Sequence, residues 1–132
     1  MITGVHHIAL RALDFDASIK FYTEGLGMTV RTTWKSNGSD RRAALLAFGD
    51  SHIELFEGGI GEKTEPPMQA GEWFHLALRT DDPDGMYESA LNAGAKSKMV
   101  PTSAQLGTPA IPIRIAFVYG PSGEVIEFFK EG

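Results

Sequence analysis

The sequence predicts an α+β fold made of two copies of a β-α-β-β-β module within a single domain spanning residues 1–132. Three observations predict it. Short runs of alternating apolar and polar residues are interleaved with segments of helical apolar spacing. The order of these runs occurs twice, at about 1–60 and about 72–132. The two copies also match residue by residue. His7-Ile8-Ala9-Leu10-Arg11 corresponds to His75-Leu76-Ala77-Leu78-Arg79 at an offset of 68 (75 − 7), and AFGDSHIELF corresponds to AFVYGPSGEVIEFF, pairing Glu54 with Glu127 at an offset of 73 (127 − 54). The difference between the offsets fits a small insertion.

In the first module, VHHIALR (5–11) reads as a strand. The helix that follows opens with Asp14 as its N-cap and ends at Gly25 and Gly27, with Phe15, Ile19, Tyr22 and Leu26 as its apolar stripe. MTVRTTW, RAALLAF and HIELFE then read as three strands, separated by the turn segments KSNGSD and GDS. A Gly-, Pro- and Glu-rich linker runs from Gly58 to Glu72. In the second module WFHLALR is the first strand, DDPDGMYESALNAG the helix, and IPIRIAFVYG and EVIEFFK the last two strands. Lys96 to Val100 reads as a short strand, and VPTSAQLGTPAIP reads as a proline-punctuated loop.

Composition narrows the function classes. The chain has 42% apolar and 22% charged residues, which is ordinary globular usage and enough for a packed core. With no cysteine, a disulfide, a thiolate metal site and a cysteine nucleophile are all excluded, so any metal takes nitrogen and oxygen ligands. A net charge of −5 without a Lys/Arg stripe argues against a nucleic-acid partner. No apolar stretch approaches a membrane-spanning length, and the N-terminus lacks the pattern of a secretory signal. A cytoplasmic protein acting on a small molecule is expected.

Strand alternation places His7, Ala9 and Arg11 on one face, and likewise His75, Ala77 and Arg79. His52, Glu54 and Phe56 share a face, as do Val125, Glu127 and Phe129. Each module thus offers one His and one Glu. Glu54 lies between Ile53 and Leu55, and Glu127 between Ile126 and Phe128, where an unpartnered buried carboxylate would cost several kcal/mol. One divalent cation shared by His7, Glu54, His75 and Glu127 would satisfy both, forming a formally neutral cluster with coordination positions left for water or substrate. The donor set is compatible with nickel, zinc, manganese, cobalt, iron or magnesium. His6 is expected to point away from this face as a packed or capped core residue. His52 shares the face of Glu54, but its place beside the GDS turn favours exposure.

HHIALRALD, FYTEGLGM, HIELFE, FHLALRTDD and GPSGEVIEFF together resemble the vicinal oxygen chelate superfamily, with glyoxalase I as the nearest familiar type. The resemblance spans nearly the whole chain. It implies that the paired modules form a partly open barrel around the metal, which a substrate chelates through two neighbouring oxygens. Arg11 stands where glyoxalase I has an arginine that helps bind the glutathione carboxylate, and Arg79 repeats it. Gly58 lies near the position of an asparagine contact in that family, and GEWF lacks the basic residue of some glutathione-using members, so glutathione use is left open.

The resemblance implies a lyase or isomerase that removes a proton next to a carbonyl and holds the enediolate oxygens on the metal. Glu127 is the expected general base, with Glu54 returning or relaying the proton. A binding module of the bleomycin-resistance type is the rival, with Trp34, Trp73, Phe56 and Phe129 as apolar walls. A dioxygenase-like enzyme is a further alternative, disfavoured by the extra carboxylate Glu54. The expected assembly is a homodimer with shared sites, each taking His7 and Glu54 from one chain and His75 and Glu127 from the other.

Overall fold

A computed structural model describes residues 1, 3–35, 39–58, 70 and 72–132. Most of the segment read as a linker therefore lies outside the described residues. The chain divides into two compact units, Met1–Glu62 and Lys63–Gly132. Each carries a four-stranded sheet, and the architecture is α+β with two open, repeated modules. Among the described residues no helix is long and apolar enough to cross a membrane.

In unit 1 the elements are β1 (His7–Ala12), α1 (Phe15–Lys20), a π-helical turn over Phe21–Gly25, β2 (Thr29–Lys35), β3 (Arg42–Phe48) and β4 (Ser51–Glu57). The sheet order is β1-β4-β3-β2, with β1 parallel to β4 and the other neighbours antiparallel. Asp14 caps α1 as expected, its carboxylate accepting from the Ala17 N–H at 3.0 Å. The helix widens after Lys20. The Leu26 N–H reaches back five residues to the Phe21 carbonyl, and the Thr23 hydroxyl takes the Ile19 carbonyl at 2.7 Å. Gly27 then supplies the positive φ, 78°, that turns the chain into β2.

Unit 2 repeats the plan with β5 (Leu76–Arg79), α2 (Pro83–Asn92), β6 (Lys96–Leu106), β7 (Ile111–Tyr119) and β8 (Val125–Glu131), ordered β5-β8-β7-β6. Asp82 caps α2 by accepting from the Gly85 N–H at 3.0 Å. The expected loop from Val100 is corrected: β6 runs on to Leu106 through Pro101. A strand tolerates this proline because β6 is an edge strand, and because its register against β7 shifts between Ser97 and Met99 and again between Met99 and Thr102.

One face of each sheet packs against its own helix, which is where the core lies. Leu46, Ile53 and Leu55 in unit 1, and Val118, Ile126 and Phe128 in unit 2, are fully buried. At the edge of this packing an arginine ties strand to helix in both units. Arg42 of β3 binds Asp16 of α1 at 2.8 Å, and Arg114 of β7 binds Asp84 of α2 at 2.6 Å. The four residues stand in the repeat relation (84 − 16 = 68; 114 − 42 = 72), a correspondence that sequence reasoning missed. In unit 1 Arg42 also binds Glu57 at 2.8 Å and lies over the Phe15 ring.

Candidate metal centre

The repeat fixes an identical strand register. In the parallel β1–β4 pair Ala9 stands beside Glu54, and in β5–β8 Ala77 stands beside Glu127. Neighbouring residues in register project to the same face, and a histidine two residues before that alanine, His7 at the start of β1 and His75 just before β5, lies next to the glutamate of the last strand. His7 Nε2 is 3.8 Å from Glu54 Oε1, and His75 Nε2 is 3.3 Å from Glu127 Oε1. Each unit, taken by itself, thus brings together two of the four expected ligands.

The donor set fits a divalent cation. Two ligand atoms on an ion with bonds of about 2.1 Å are separated by about 3.0 Å at right angles and about 4.2 Å when opposite, and both observed separations fall in that interval. Each histidine presents Nε2 towards its carboxylate. All four donors are nitrogen or oxygen, as a cysteine-free chain requires. Within neither unit do three or more described His, Asp or Glu side chains converge.

The two carboxylates differ in surroundings. Glu127 is 7% exposed, and burial pushes its carboxyl above the ordinary value, with the nearby His75 opposing the rise. Glu54 is half-buried. Around His75 the contacts are aromatic, with Phe74 and Phe117 meeting its ring edge-on at 5.1 and 5.5 Å between centroids.

Around His7 they are polar, and here two expectations are corrected. His6, just before β1, is exposed rather than packed in the core. Its Nδ1 lies 3.0 Å from His7 Nδ1, and its ring stacks on His52 at 4.7 Å. His52 is buried rather than exposed, and both of its ring nitrogens are engaged. Nε2 is 2.9 Å from Arg31 Nη1, and Nδ1 is 3.0 Å from the His6 carbonyl.

The expected substrate contacts are distributed unevenly. Register puts Arg11 beside Phe56 on the face of His7 and Glu54, and Trp34 meets Phe56 edge-on at 6.1 Å. Arg79 stands beside Phe129 in unit 2. Trp73 precedes β5 and is 93% exposed, so within its unit it forms no wall. His75 likewise lies one residue before β5 rather than within the expected strand.

Residues 4–128 match the Glyoxalase/Bleomycin resistance protein/Dioxygenase superfamily, and the chain belongs to that superfamily. Its sequence is 32% identical to the uncharacterised protein YwbC of Bacillus subtilis over 98% of this chain and 99% of that protein. It is 30% identical to a probable lactoylglutathione lyase of Vibrio parahaemolyticus, covering 94% of this chain and 88% of the relative. The solved structure of SMU.1112c shares the fold, with a TM-score of 0.80 at 22% identity, covering 98% of this chain and 100% of that one.

Proposed function

We infer that the chain is a metal-dependent lyase or isomerase that moves a proton on the carbon next to a carbonyl, with His7, Glu54, His75 and Glu127 holding one divalent ion. The observation that carries this reading is the recurrence of a His–Glu pair in both units, the glutamate each time in register beside an alanine of the first strand and the histidine two residues before that alanine. A dication bound there would stabilise the negative charge that develops on substrate oxygen as the neighbouring carbon loses its proton.

The remaining chemistry falls to the chain. Burial raises the proton affinity of Glu127 above that of an ordinary carboxylate, which suits it to accept a proton from carbon. Glu54, half-buried, returns or relays the proton. Arg11 supplies a cationic group on the same face to orient an acidic substrate, and Trp34 with Phe56 offers an apolar wall. The relatives named as lactoylglutathione lyases make a thiol adduct of a 2-oxoaldehyde the first substrate class to try.

The test has two readouts. Metal content of the purified chain should reach one divalent ion per four-ligand set. Deuterium exchange from solvent into the carbon next to the carbonyl, assayed with methylglyoxal and glutathione, should fall roughly 10²- to 10⁴-fold in Glu127→Gln and less in Glu54→Gln. A larger loss in Glu54→Gln would exchange the roles of the two carboxylates. A purified chain that takes up no divalent ion would favour a ligand-binding protein of the bleomycin-resistance type.

A further inference from the structure

We propose that Arg41, seated over Gly58, and Arg11 form a subsite for the dianionic group of a phosphate monoester at one end of the open face of unit 1. This deepens the role given to Arg11 above. It rests on that reading only in treating the bound molecule as a substrate, since the subsite itself needs no metal.

The charge at this end follows from how unit 1 uses its arginines. Arg42 is committed to Asp16 and Glu57, and Arg31 to the ring of His52. Arg11 and Arg41 are exposed, and among the described residues neither side chain pairs with a carboxylate. The acids nearby are engaged elsewhere or unpaired with them. Glu57 is held by Arg42, Glu54 faces His7, and Asp40 offers its carbonyl to Lys35 at 3.4 Å. Lys35 itself stands in register beside Arg42 and adds a further cation.

The sheet brings the two arginines to one place. Trp34, Ala43, Phe56 and Arg11 form one row across β2, β3, β4 and β1, in which Trp34 and Phe56 meet edge-on at 6.1 Å. Gly58 lies two residues beyond Phe56, and the Arg41 guanidinium rests on it: a Cβ at position 58 would be 3.0 Å from Nη1, 3.2 Å from Cζ and 3.3 Å from Nε. That close approach, together with a φ of 110°, requires glycine there. With strands about 4.8 Å apart and a rise of about 3.3 Å per residue, the backbones of Arg11 and Gly58 are roughly 8 Å apart, so two arginine side chains can meet one group from two sides. The same rise puts Gly58 roughly 13 Å from Glu54, so a group held there is remote from the reacting carbon.

Two unpaired guanidiniums repel each other until an anion joins them. A carboxylate neutralises one. A phosphate monoester, dianionic above its second pKa of about 6, neutralises both, and its terminal oxygens accept from two planar forks. The Trp34–Phe56 pair in the adjoining row gives its organic part an apolar surface. The repeated fold does not demand this arrangement. At the repeat offsets, unit 2 has Ile113 in place of Arg41 (41 + 72) and Glu131 in place of Gly58 (58 + 73), and these two stand in register.

The experiment is calorimetric titration of phenyl phosphate into the full chain freed of metal, at pH 8. Saturable binding is expected, weakened roughly 10- to 100-fold in Arg41→Met and in Arg11→Met. Gly58→Ala, which displaces Arg41 without altering charge, should weaken it in the same direction. Lys20→Met removes one positive charge from α1, on the helix side, and should leave affinity within about twofold. Benzoate and glutathione, which carry carboxylates only, should bind at least about tenfold more weakly than phenyl phosphate. No binding by the parent, or affinity unchanged in both arginine variants, would overturn the subsite. A loss in Lys20→Met equal to that in Arg41→Met would reduce it to diffuse charge attraction, and equal binding of benzoate or glutathione would reject phosphate as its ligand. A chain that binds phenyl phosphate as expected yet takes up no divalent ion would sink the proton-transfer reading and leave the subsite standing.

Discussion

Replacing Glu127 with Gln should change stability in opposite directions with and without metal. The carboxylate is 7% exposed, and its pKa is raised from 4.5 by burial against the partial opposition of His75. A group whose folded pKa lies above its unfolded value gives its full stabilisation below the unfolded pKa and loses it as pH rises through the folded value. At neutral pH the metal-free parent therefore bears the cost of an ionised, buried Glu127, which the amide avoids. The metal-free variant should melt no lower than the parent at neutral pH, and this advantage should shrink as pH falls below the carboxyl range. With zinc at about 100 times its Kd, the parent gains about 2.7 kcal/mol, which for a chain of this size raises Tm by roughly 10 °C. The variant, having lost an anionic ligand, should gain much less. Thermal melts of both proteins with zinc and with a chelator, at neutral and acidic pH, measure all four quantities. If the chelated variant melts several degrees below the chelated parent, or zinc raises both equally, Glu127 is a structural residue and the reasoning fails.

Replacing His75 with Ala should abolish stoichiometric metal binding while circular dichroism still reports a folded chain; unchanged metal content in the variant would remove His75 from the ligand set. Asp14→Ala and Asp82→Ala should each cost about 1 kcal/mol by loss of a helix N-cap, read as a lowered denaturant midpoint. Arg42 holds the Glu57 carboxyl down at about 2, from an ordinary 4.5. Its depressed folded pKa means that its stabilisation is complete above the ordinary value and lost as pH falls through that window, so Glu57→Gln should flatten the acid side of the stability curve there. For assembly, a His7→Ala/Glu54→Ala chain refolded with a His75→Ala/Glu127→Ala chain should regain metal in the heterodimer if sites are shared between subunits; a verified heterodimer without metal would reject sharing.

Strand alternation and the double repeat made the module plan and both His–Glu pairs legible, because period-two patterning assigns faces before any contact is known. It failed at strand ends. Alternation points His6 away from the face of His7, yet β1 starts at His7, and the ring of His6 turns to His7 and His52 instead. Nearness to a turn favours exposure of His52, yet it is buried and its Nε2 lies 2.9 Å from Arg31, 21 residues earlier, which no local pattern connects to it. Pro101 suggested a loop, although edge position and a shifting register let the strand continue. The Arg–Asp clasps were readable in principle from the two repeat offsets, since both partners recur, but single-residue motifs drew attention to the open face rather than the helix face.

The two units differ where chemistry is expected and agree where packing is required. On the helix side, Asp14 and Asp82 cap their helices alike, and Arg42–Asp16 and Arg114–Asp84 make the same clasp. That side of each unit must solve one problem, holding a helix on a twisted sheet, and a duplicated solution serves both. On the open side the His–Glu pair is kept, but its surroundings change from His6, His52 and Arg31 to their counterparts by strand register, Phe74, Val125 and Lys98. A purely structural pair would have no reason to trade a polar setting for an aromatic one in only one copy. Two halves of the proposed ligand set with different tasks would. The more buried carboxylate, Glu127, gains basicity from its apolar neighbours, whereas His7, 39% exposed in its side chain, meets the polar ring of His6. Duplication thus explains the shared register, and under the proposed function a division of labour would explain why the surroundings of the two pairs no longer match.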